Sequence, residues 1–303
     1  MPPTRSSVSH RGSRVPALVA SAVAAAGVLV VWRVFVTTRT GQLVDQAAFD
    51  GGAYGRTRLW RVAEPVLDVV SVPFVAVVVL AAMTLAVVRR RPLLAVQVAL
   101  LVGGANLTTQ VLKHVVLTRP DLDVGDRLSN ALPSGHATVA ASVSAALLLV
   151  VPRRFRPLAA VVAVGYTVAT GVSTLVGAWH RPSDVVAAVL VVAAWGGLAL
   201  ATRPTEVAGA DHPAGTHAVV VLLGLVAVAT GVPAALALRH TYVLVTEAGR
   251  VTERADLITA YGGGALAVVA VTCAAVGALL WSMRAAETRG AQLRGAEVTG
   301  AGR

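Results

Sequence analysis

Long apolar blocks alternate with short polar segments along this chain. Eight blocks approach or exceed the length of about 20 residues that an α-helix needs to cross the hydrocarbon core of a bilayer. They cover residues 15–36, 65–88, 93–117, 134–151, 157–178, 183–201, 217–238 and 257–283. The pattern predicts an all-α fold, a polytopic transmembrane helical bundle of about eight spans.

The polar segments divide the chain into regions. We predict a polar N-terminal tail, a six-span core, a linker, a two-span C-terminal hairpin and a disordered tail. These regions cover residues 1–14, 15–201, 202–216, 217–283 and 284–303. Within the core, the Gly-rich segment 38–64 is predicted to be a loop. The first apolar run is longer than the apolar region of a typical signal peptide, which favours an uncleaved first helix.

The composition supports a membrane protein. Hydrophobic residues make up 56% of the chain and charged residues 14%, whereas soluble domains carry about a quarter charged residues. The net charge of +11 comes from arginines between apolar blocks, where they meet lipid headgroups, so nucleic acid is not expected as a partner. The single cysteine, Cys273, cannot form an internal disulfide, and no Cys/His pair has zinc spacing.

The arginines also predict an orientation. Eight spans place both termini on one side, together with the Arg-rich turns at 89–91 and 153–156. The positive-inside rule makes that side cytoplasmic. We therefore expect an integral cell membrane protein with both tails in the cytoplasm.

Three polar segments interrupt the apolar pattern, each at the end of a predicted span. The first closes the third span, the second opens the fourth, and the third joins the fifth to the sixth. Their residues are Lys113, Arg119 and Pro120; Pro133, Ser134, Gly135 and His136; and Ser173, Thr174, His180, Arg181, Pro182, Ser183 and Asp184. Counted along the spans, all three lie at the extracytoplasmic face. Ionisable groups at a membrane boundary are costly and commonly functional.

Each segment suggests a role, with a plainer alternative beside it. Lys113 is the only lysine in the chain, and its compact ammonium differs from a guanidinium; the alternative is a snorkelling side chain. Ser134 is placed to cap a helix and Gly135 to let an anion approach the N–H groups, unless this is simply a capped helix start. His180 and Asp184 are four residues apart, which suits a carboxylate that orients a nucleophilic imidazole, or else an interfacial histidine beside a helix-dipole aspartate.

Taken together, the segments resemble the type 2 phosphatidic acid phosphatase superfamily, which includes the vanadium haloperoxidases. The family pattern runs Lys, six residues, Arg-Pro; then Pro-Ser-Gly-His; then Ser-Arg, five residues, His, three residues, Asp. The order and helix placement match, as does the spacing from Ser173 through His180 to Asp184. The resemblance covers about residues 15–201 and implies a six-helix phosphatase core in the integral membrane lipid phosphatase branch.

The resemblance implies roles for these residues. His180 is expected to be the nucleophile that forms a phosphohistidine, and Asp184 to orient it. His136 is expected to be the general acid. Lys113 and Arg119, with N–H groups near Ser134 and Gly135, are expected to hold the phosphate. The family needs no metal for hydrolysis, so no cofactor is expected.

The chain departs from the family pattern twice. Five residues, not six, separate Lys113 from Arg119, which rotates the lysine by about 100° on a straight helix, although an extended last turn would absorb the change. Thr174 stands where the family has a phosphate-binding arginine. Arg181, beside the nucleophile, is the candidate substitute.

The leading hypothesis is hydrolysis of a lipid phosphomonoester or diphosphate, of the phosphatidic acid or polyprenyl diphosphate type, through a phosphohistidine at the extracytoplasmic face. Membrane lipids and the lipid phosphate are the expected partners; the sequence does not indicate an oligomeric state. The alternative is a non-catalytic lipid-phosphate-binding or structural membrane protein, favoured by Thr174. Vanadate-dependent halide oxidation is not favoured, because the chain lacks one of the arginines that hold vanadate. A transporter is not favoured either, because it would show paired, interrupted helices, and the sequence shows no such pairing.

Overall fold

The computed structural model describes residues 15–69, 90–125, 129–202 and 214–300, with isolated positions between 70 and 89, and the side chains as far as residue 285. The described part contains nine α-helices and no strand. They are α1 (Val15–Val31), α2 (Arg39–Gly51), α3 (Arg56–Val69), α4 (Pro92–Val111), α5 (Gly135–Val150), α6 (Arg156–Val176), α7 (Pro182–Ala201), α8 (Ala214–Ala248) and α9 (Arg254–Gly300). A π-helical turn extends α1 over Trp32–Val36, and another extends α4 over Leu112–Val116.

The prediction of an all-α polytopic membrane bundle is confirmed. Six stretches of helix are long and apolar enough to cross a bilayer, namely Val15–Val36, Pro92–Val116, Arg153–Val176, Pro182–Ala201, Gly215–Ala248 and Arg254–Ala285. The shorter helix α5 is also apolar. Large apolar side chains such as Leu158 and Leu225 are exposed on the outside of the bundle, as lipid-facing positions require. The predicted span at 65–88 lies mostly outside the described residues.

The prediction of a loop at 38–64 is wrong, because most of this segment forms α2 and α3. Thr38 caps α2, its hydroxyl oxygen accepting a hydrogen bond from the Gly41 N–H at 3.1 Å. Val44, Ala47 and Ala48 are buried on one face of the helix. A short amphipathic helix of this kind has too few apolar residues in sequence to be found as a span.

The C-terminal part is also more helical than the sequence predicted. Helix α8 extends ten residues beyond the predicted end at 238, and α9 continues through Gly300, where a disordered tail was expected. The segment 284–300 contains four Ala, three Arg and two Glu residues, which are favourable helix formers although Arg and Glu are polar. The change from apolar to polar sequence therefore does not mark the end of the helix.

The C-terminal hairpin of α8 and α9 packs directly on the rest of the bundle. Helix α9 contacts α2, α6 and α7 in addition to α8. Two glycines allow the closest approaches. A Cβ at Gly51 would lie 2.0 Å from the Leu257 carbonyl oxygen, and a Cβ at Gly264 would lie 2.4 Å from the Pro182 ring. The start of α9 therefore rests against α2 and against the beginning of α7.

The chain path brings the chemically interesting termini to one end of the bundle, here called the site end. The C-terminal ends of α4 and α6 lie there, with the N-terminal ends of α5, α7 and α9, and α2 packs against α7 and α9. The Arg-rich turn at 153–156 connects the opposite ends of α5 and α6.

Candidate active site

His180 lies in the short turn that joins α6 to α7. The turn is closed by hydrogen bonds from the N–H groups of Trp179 (3.0 Å) and His180 (3.4 Å) to the Thr174 carbonyl. Ala178 adopts the left-handed conformation, with φ of 53°, which few non-glycine residues do. This compact reversal holds His180 at the boundary between two helices.

Asp184 fixes the orientation of the His180 ring. Its Oδ2 atom lies 3.2 Å from His180 Nδ1 and accepts a hydrogen bond from the Arg181 N–H at 2.9 Å. Pro182 occupies the first turn of α7, where proline costs no hydrogen bond. Both side chains are buried, with residue exposures of 7% for His180 and 3% for Asp184. With Nδ1 engaged, Nε2 is the nitrogen that the carboxylate leaves available.

The Pro-Ser-Gly-His segment begins α5 and is fastened to α7. The Ser134 hydroxyl caps α5 by accepting from the Ala137 N–H at 3.3 Å, and the Ser134 N–H donates to the Asp184 carbonyl at 2.9 Å. Because the Ser134 N–H already donates this hydrogen bond, it is not free to bind an anion directly. The N–H groups of Gly135 and His136, in the first turn, have no partner within the helix.

His136, in the first turn of α5, is half-buried. Its ring centroid is 5.2 Å from that of Trp179, which packs edge-on against Trp60 of α3. His136 is within electrostatic range of both His180 and Lys113. The two histidines, from two different helix ends, therefore share one small region.

Lys113 lies in the π-helical turn that ends α4. This turn closes through the Leu117 N–H, which donates to the Leu112 carbonyl at 2.8 Å, a bond across five residues. Asn130 ties the following loop to it, donating to the carbonyls of Lys113 (3.3 Å) and Leu117 (3.0 Å). The wide turn changes the rotation of Lys113 about the helix, so the spacing on a straight α-helix does not apply.

Arg119 extends from the loop after this turn and is held by α2. Its Nη2 atom donates to the Gln42 side-chain oxygen at 3.1 Å, while the Gln42 amide nitrogen donates to the Val36 and Pro120 carbonyls. Burial and the nearby Arg181 guanidinium lower the pKa of Arg119. Two guanidinium groups thus lie close enough to repel each other, and an anion between them would relieve the repulsion.

Arg181 is buried, with 3% exposure, although it precedes a helix at the membrane boundary. Its Nη2 and Nε atoms donate to the Gln46 side-chain oxygen at 2.7 and 3.3 Å. The guanidinium also lies 5.4 Å from the centre of the Phe49 ring, within the distance of a cation–π contact. Arg181 is therefore not a lipid-facing side chain but part of the polar cluster at the site end.

Thr174 does not replace the missing arginine. Its side chain is fully buried, and its hydroxyl donates to the Gly171 carbonyl of its own helix at 2.7 Å. The residue instead serves the turn, through the carbonyl that receives the Trp179 and His180 N–H groups. Among the described residues of the site, Arg119, Arg181 and Lys113 are the lysine and arginine side chains that can supply positive charge.

Asp45 of α2 completes the polar cluster. One oxygen accepts a hydrogen bond from the Ser183 N–H at 3.3 Å, and the other pairs with the Ser183 hydroxyl at 2.5 Å. Burial, with a smaller contribution from the Asp184 carboxylate, raises the pKa of Asp45 to about 7. Near neutral pH this carboxyl group therefore exchanges a proton inside the bundle.

The raised pKa predicts a pH-dependent stability. Between the usual value of 3.8 and about 7, folded Asp45 keeps a proton that the unfolded chain has lost, so stability falls as the pH rises through this window. The full difference corresponds to about 4 kcal/mol. We expect Asp45→Asn to be more stable than wild type at pH 8 and to lose less stability between pH 4.5 and 8.

Thermal unfolding of the detergent-solubilised proteins at several pH values measures this effect. Asp68→Asn is the matched control, since Asp68 is exposed on α3, and should follow wild type. Parallel pH curves for Asp45→Asn and wild type would contradict the assignment.

Three site residues on α2 were not found from the sequence. Gln42, Asp45 and Gln46 hold Arg119, Ser183 and Arg181 respectively. Their spacing of three and four residues puts them on one helix face. This spacing would have indicated a shared polar face if the segment 38–64 had been predicted to be helical. Asn130 was also missed, and a lone asparagine in a polar loop carries no such signal.

The arrangement can bind and transform an anion. It combines two guanidinium groups, one ammonium, two imidazoles and a carboxylate that orients one of them. Among the described residues, no group of three or more His, Cys, Asp or Glu side chains is placed to hold a metal ion.

Comparison with known proteins identifies the central part of the chain. A family model described as the PAP2 superfamily matches residues 94–208, which include most of α4, all of α5 to α7 and every predicted site residue. A search of curated proteins and a search of solved structures each found no match. The family match begins later than the resemblance predicted from residue 15, and α2, α8 and α9 lie outside it.

Proposed function

We propose that this chain, whose residues 94–208 match the family model of the PAP2 superfamily, is a member of that family and a membrane phosphatase acting on a lipid phosphomonoester or diphosphate. The observation that carries the proposal is the buried His180–Asp184 pair, 3.2 Å apart at the site end, where Lys113, Arg119 and Arg181 also lie. A binding protein would need the cations but not an imidazole oriented by a buried carboxylate.

The first step is attack by His180 on phosphorus. Asp184 holds a proton on Nδ1, so that the lone pair of Nε2 forms the phosphorus–nitrogen bond while the bond to the leaving oxygen breaks. His136 gives its proton to that oxygen, which departs as an alcohol or as a phosphate monoester. Asp184 balances the positive charge of the phosphorylated ring.

The second step hydrolyses the phosphohistidine and regenerates the free enzyme. Neutral His136 takes a proton from water, whose oxygen attacks phosphorus as the phosphorus–nitrogen bond breaks. Inorganic phosphate leaves, and both histidines regain their starting states. Throughout, Lys113, Arg119 and Arg181 and the first-turn N–H groups of α5 stabilise the phosphoryl oxygens.

Arg181 supplies the charge that the family arginine at position 174 provides elsewhere. Its buried guanidinium and that of Arg119 are close enough to lower the pKa of Arg119, and each is held by a glutamine oxygen of α2. A glutamine is a neutral acceptor, so it orients the guanidinium without cancelling the charge. Phosphate oxygens then accept hydrogen bonds from the remaining N–H groups of both guanidinium groups.

A lipid substrate suits the position of the site. The residues lie at helix ends of a bundle whose outer surface is apolar, the depth at which a lipid phosphate meets the membrane surface. The arginines at 89–91 and 153–156 support a cytoplasmic assignment for the opposite end, and therefore an extracytoplasmic site in the cell membrane.

Phosphate release from a panel of substrates tests the proposal. Purified protein in detergent is incubated with phosphatidic acid, farnesyl diphosphate and a short water-soluble phosphomonoester, with excess chelator and without. We expect release from at least one lipid phosphate, unchanged by the chelator. Release from none of them by the folded protein would instead favour a non-catalytic lipid-phosphate-binding protein, the function that Thr174 suggests.

A further inference from the structure

A cavity of about 320 Å³ lies beside the site, between α2, the first turns of α7 and the C-terminal hairpin. Its volume is within the range of small-molecule sites. The hairpin contributes about half of the lining, including Gly231, Ala235 and Leu238 of α8 and Ala267 of α9. Glycine and alanine at most of the hairpin positions leave space that larger side chains would fill.

The polar groups that line the cavity have partners elsewhere. They belong to Asp45, Ser183 and Thr241. The Thr241 hydroxyl donates to the Ala237 carbonyl of its own helix, and the Asp45 and Ser183 side chains bond to each other. The cavity thus offers an apolar surface with no unsatisfied side-chain group in its lining, which suits a hydrocarbon and not a polar ligand.

Asp45 and Ser183 connect the cavity to the site. Ser183 stands between Arg181 and Asp184 in the chain, and the Asp45 carboxyl is within electrostatic range of both. The cavity also reaches the outside of the bundle, because Leu238 and Ala235 line it and are exposed. One end is therefore next to the phosphate-binding cations and the other next to the lipid.

We infer that this cavity holds the hydrocarbon chain of the lipid phosphate while its head group occupies the cationic site. The inference rests on the proposed function and deepens it, since it assigns the C-terminal hairpin, which lies outside the family match, to substrate binding. The apolar lining, the partnered polar groups and the continuity with the site carry it together. The occupant is the substrate's own chain and not a bulk membrane lipid.

Photolabelling in the non-turnover variant His180→Ala tests the inference without requiring catalysis. The probes are phosphatidic acid and farnesyl phosphate, each with a diazirine at the chain terminus, and labelled peptides are located by mass spectrometry. We expect label from at least one probe on α2 and on residues 231–271. An excess of the unlabelled lipid phosphate should compete, and phosphatidylcholine with the same chains should not.

Two glycines of α8 give a matched pair of variants in the same background. Gly231→Leu places a side chain in the cavity, whereas Gly224→Leu, two turns earlier, places it where nothing lies within 4 Å. We expect Gly231→Leu to lower the labelling about tenfold, as exclusion of a few methylene groups would. Gly224→Leu should not change it.

Three results would overturn the inference. They are label outside the cavity, equal competition by phosphatidylcholine, and unchanged labelling in Gly231→Leu. The outcome is separable from that of the phosphate-release assay. If the cavity is labelled but wild type releases no phosphate, the proposed catalysis is wrong and the chain-binding cavity stands. If wild type releases phosphate but the cavity is not labelled, the catalysis stands and the chain-binding cavity is wrong.

Discussion

His180→Ala is expected to reduce phosphate release by about 10⁴-fold or more, to the level of protein-free controls. In the proposed mechanism, the imidazole of His180 is the group that forms the covalent bond to phosphorus, so its removal abolishes the first step. Asp184 keeps its hydrogen bond from the Arg181 N–H at 2.9 Å in the variant, so the first turn of α7 should remain folded. Initial rates with the best lipid substrate of the panel measure the loss.

The chain offers a matched control in a second histidine–aspartate pair. His240 Nε2 and Asp256 Oδ1 lie 2.8 Å apart across the C-terminal hairpin, with both side chains more exposed than those of the site pair. His240→Ala should leave the rate within about twofold of wild type, since surface pairs contribute little. Equal losses in the two variants would assign the effect to stability and not to chemistry.

Arg181→Gln is expected to lower kcat/KM by about 10²-fold or more, because charge-assisted contacts to the phosphoryl group strengthen as charge develops in the transition state. Arg181→Lys should recover only part of the activity, since an ammonium cannot keep both the Gln46 contact and the planar fork toward phosphate. The recovery distinguishes a role in charge from a purely structural one. Steady-state kinetics of the three proteins give the comparison.

Arg254→Gln controls for the loss of a stacked arginine. Arg254 lies 5.1 Å from the centre of the Tyr54 ring, much as Arg181 lies 5.4 Å from that of Phe49, but Arg254 is not one of the proposed phosphate-binding residues. It should retain wild-type kinetics. Wild-type activity in Arg181→Gln would show that Arg119 and Lys113 suffice, and that Arg181 does not supply the charge that Thr174 lacks.

The spans were predictable because bilayers impose a simple rule. Backbone groups in lipid must be satisfied within a helix, so an apolar block of sufficient length becomes a helix almost regardless of its detailed sequence. The apolar runs at 15–36 and 183–201 illustrate this closely, since helices occupy Val15–Val36 and Pro182–Ala201. The polar, helix-forming segment at 284–300 obeys no such rule, and its helix was missed.

Helix α2 was not predictable by the same reasoning. It packs at the site end and crosses no membrane, so its glycines and polar residues resembled a loop. Its role depends on contacts between positions far apart in sequence, with Asp45 meeting Ser183 across 138 residues and Gln46 meeting Arg181 across 135. Such pairs depend on tertiary packing, which local patterns do not specify.

The spacing between Lys113 and Arg119 shows that residue counting cannot predict a change of helix type. Counting residues on an ideal α-helix predicted a rotation of the lysine, but the last turn of α4 is a π-helix. Turns of this type occur preferentially at functional sites, and nothing in the residues from 112 to 116 marks one.

Trapping of the phosphorylated protein tests the central claim, that His180 carries the phosphoryl group. Wild type and His180→Ala are mixed with radiolabelled lipid phosphate and quenched within milliseconds in alkali, since acid hydrolyses a phosphorus–nitrogen bond. The proteins are then digested for mass spectrometry. We predict label in wild type on the peptide that contains His180, bound to the imidazole, and none in the variant. Turnover by wild type with the label on another residue, or label retained in His180→Ala, would contradict the mechanism.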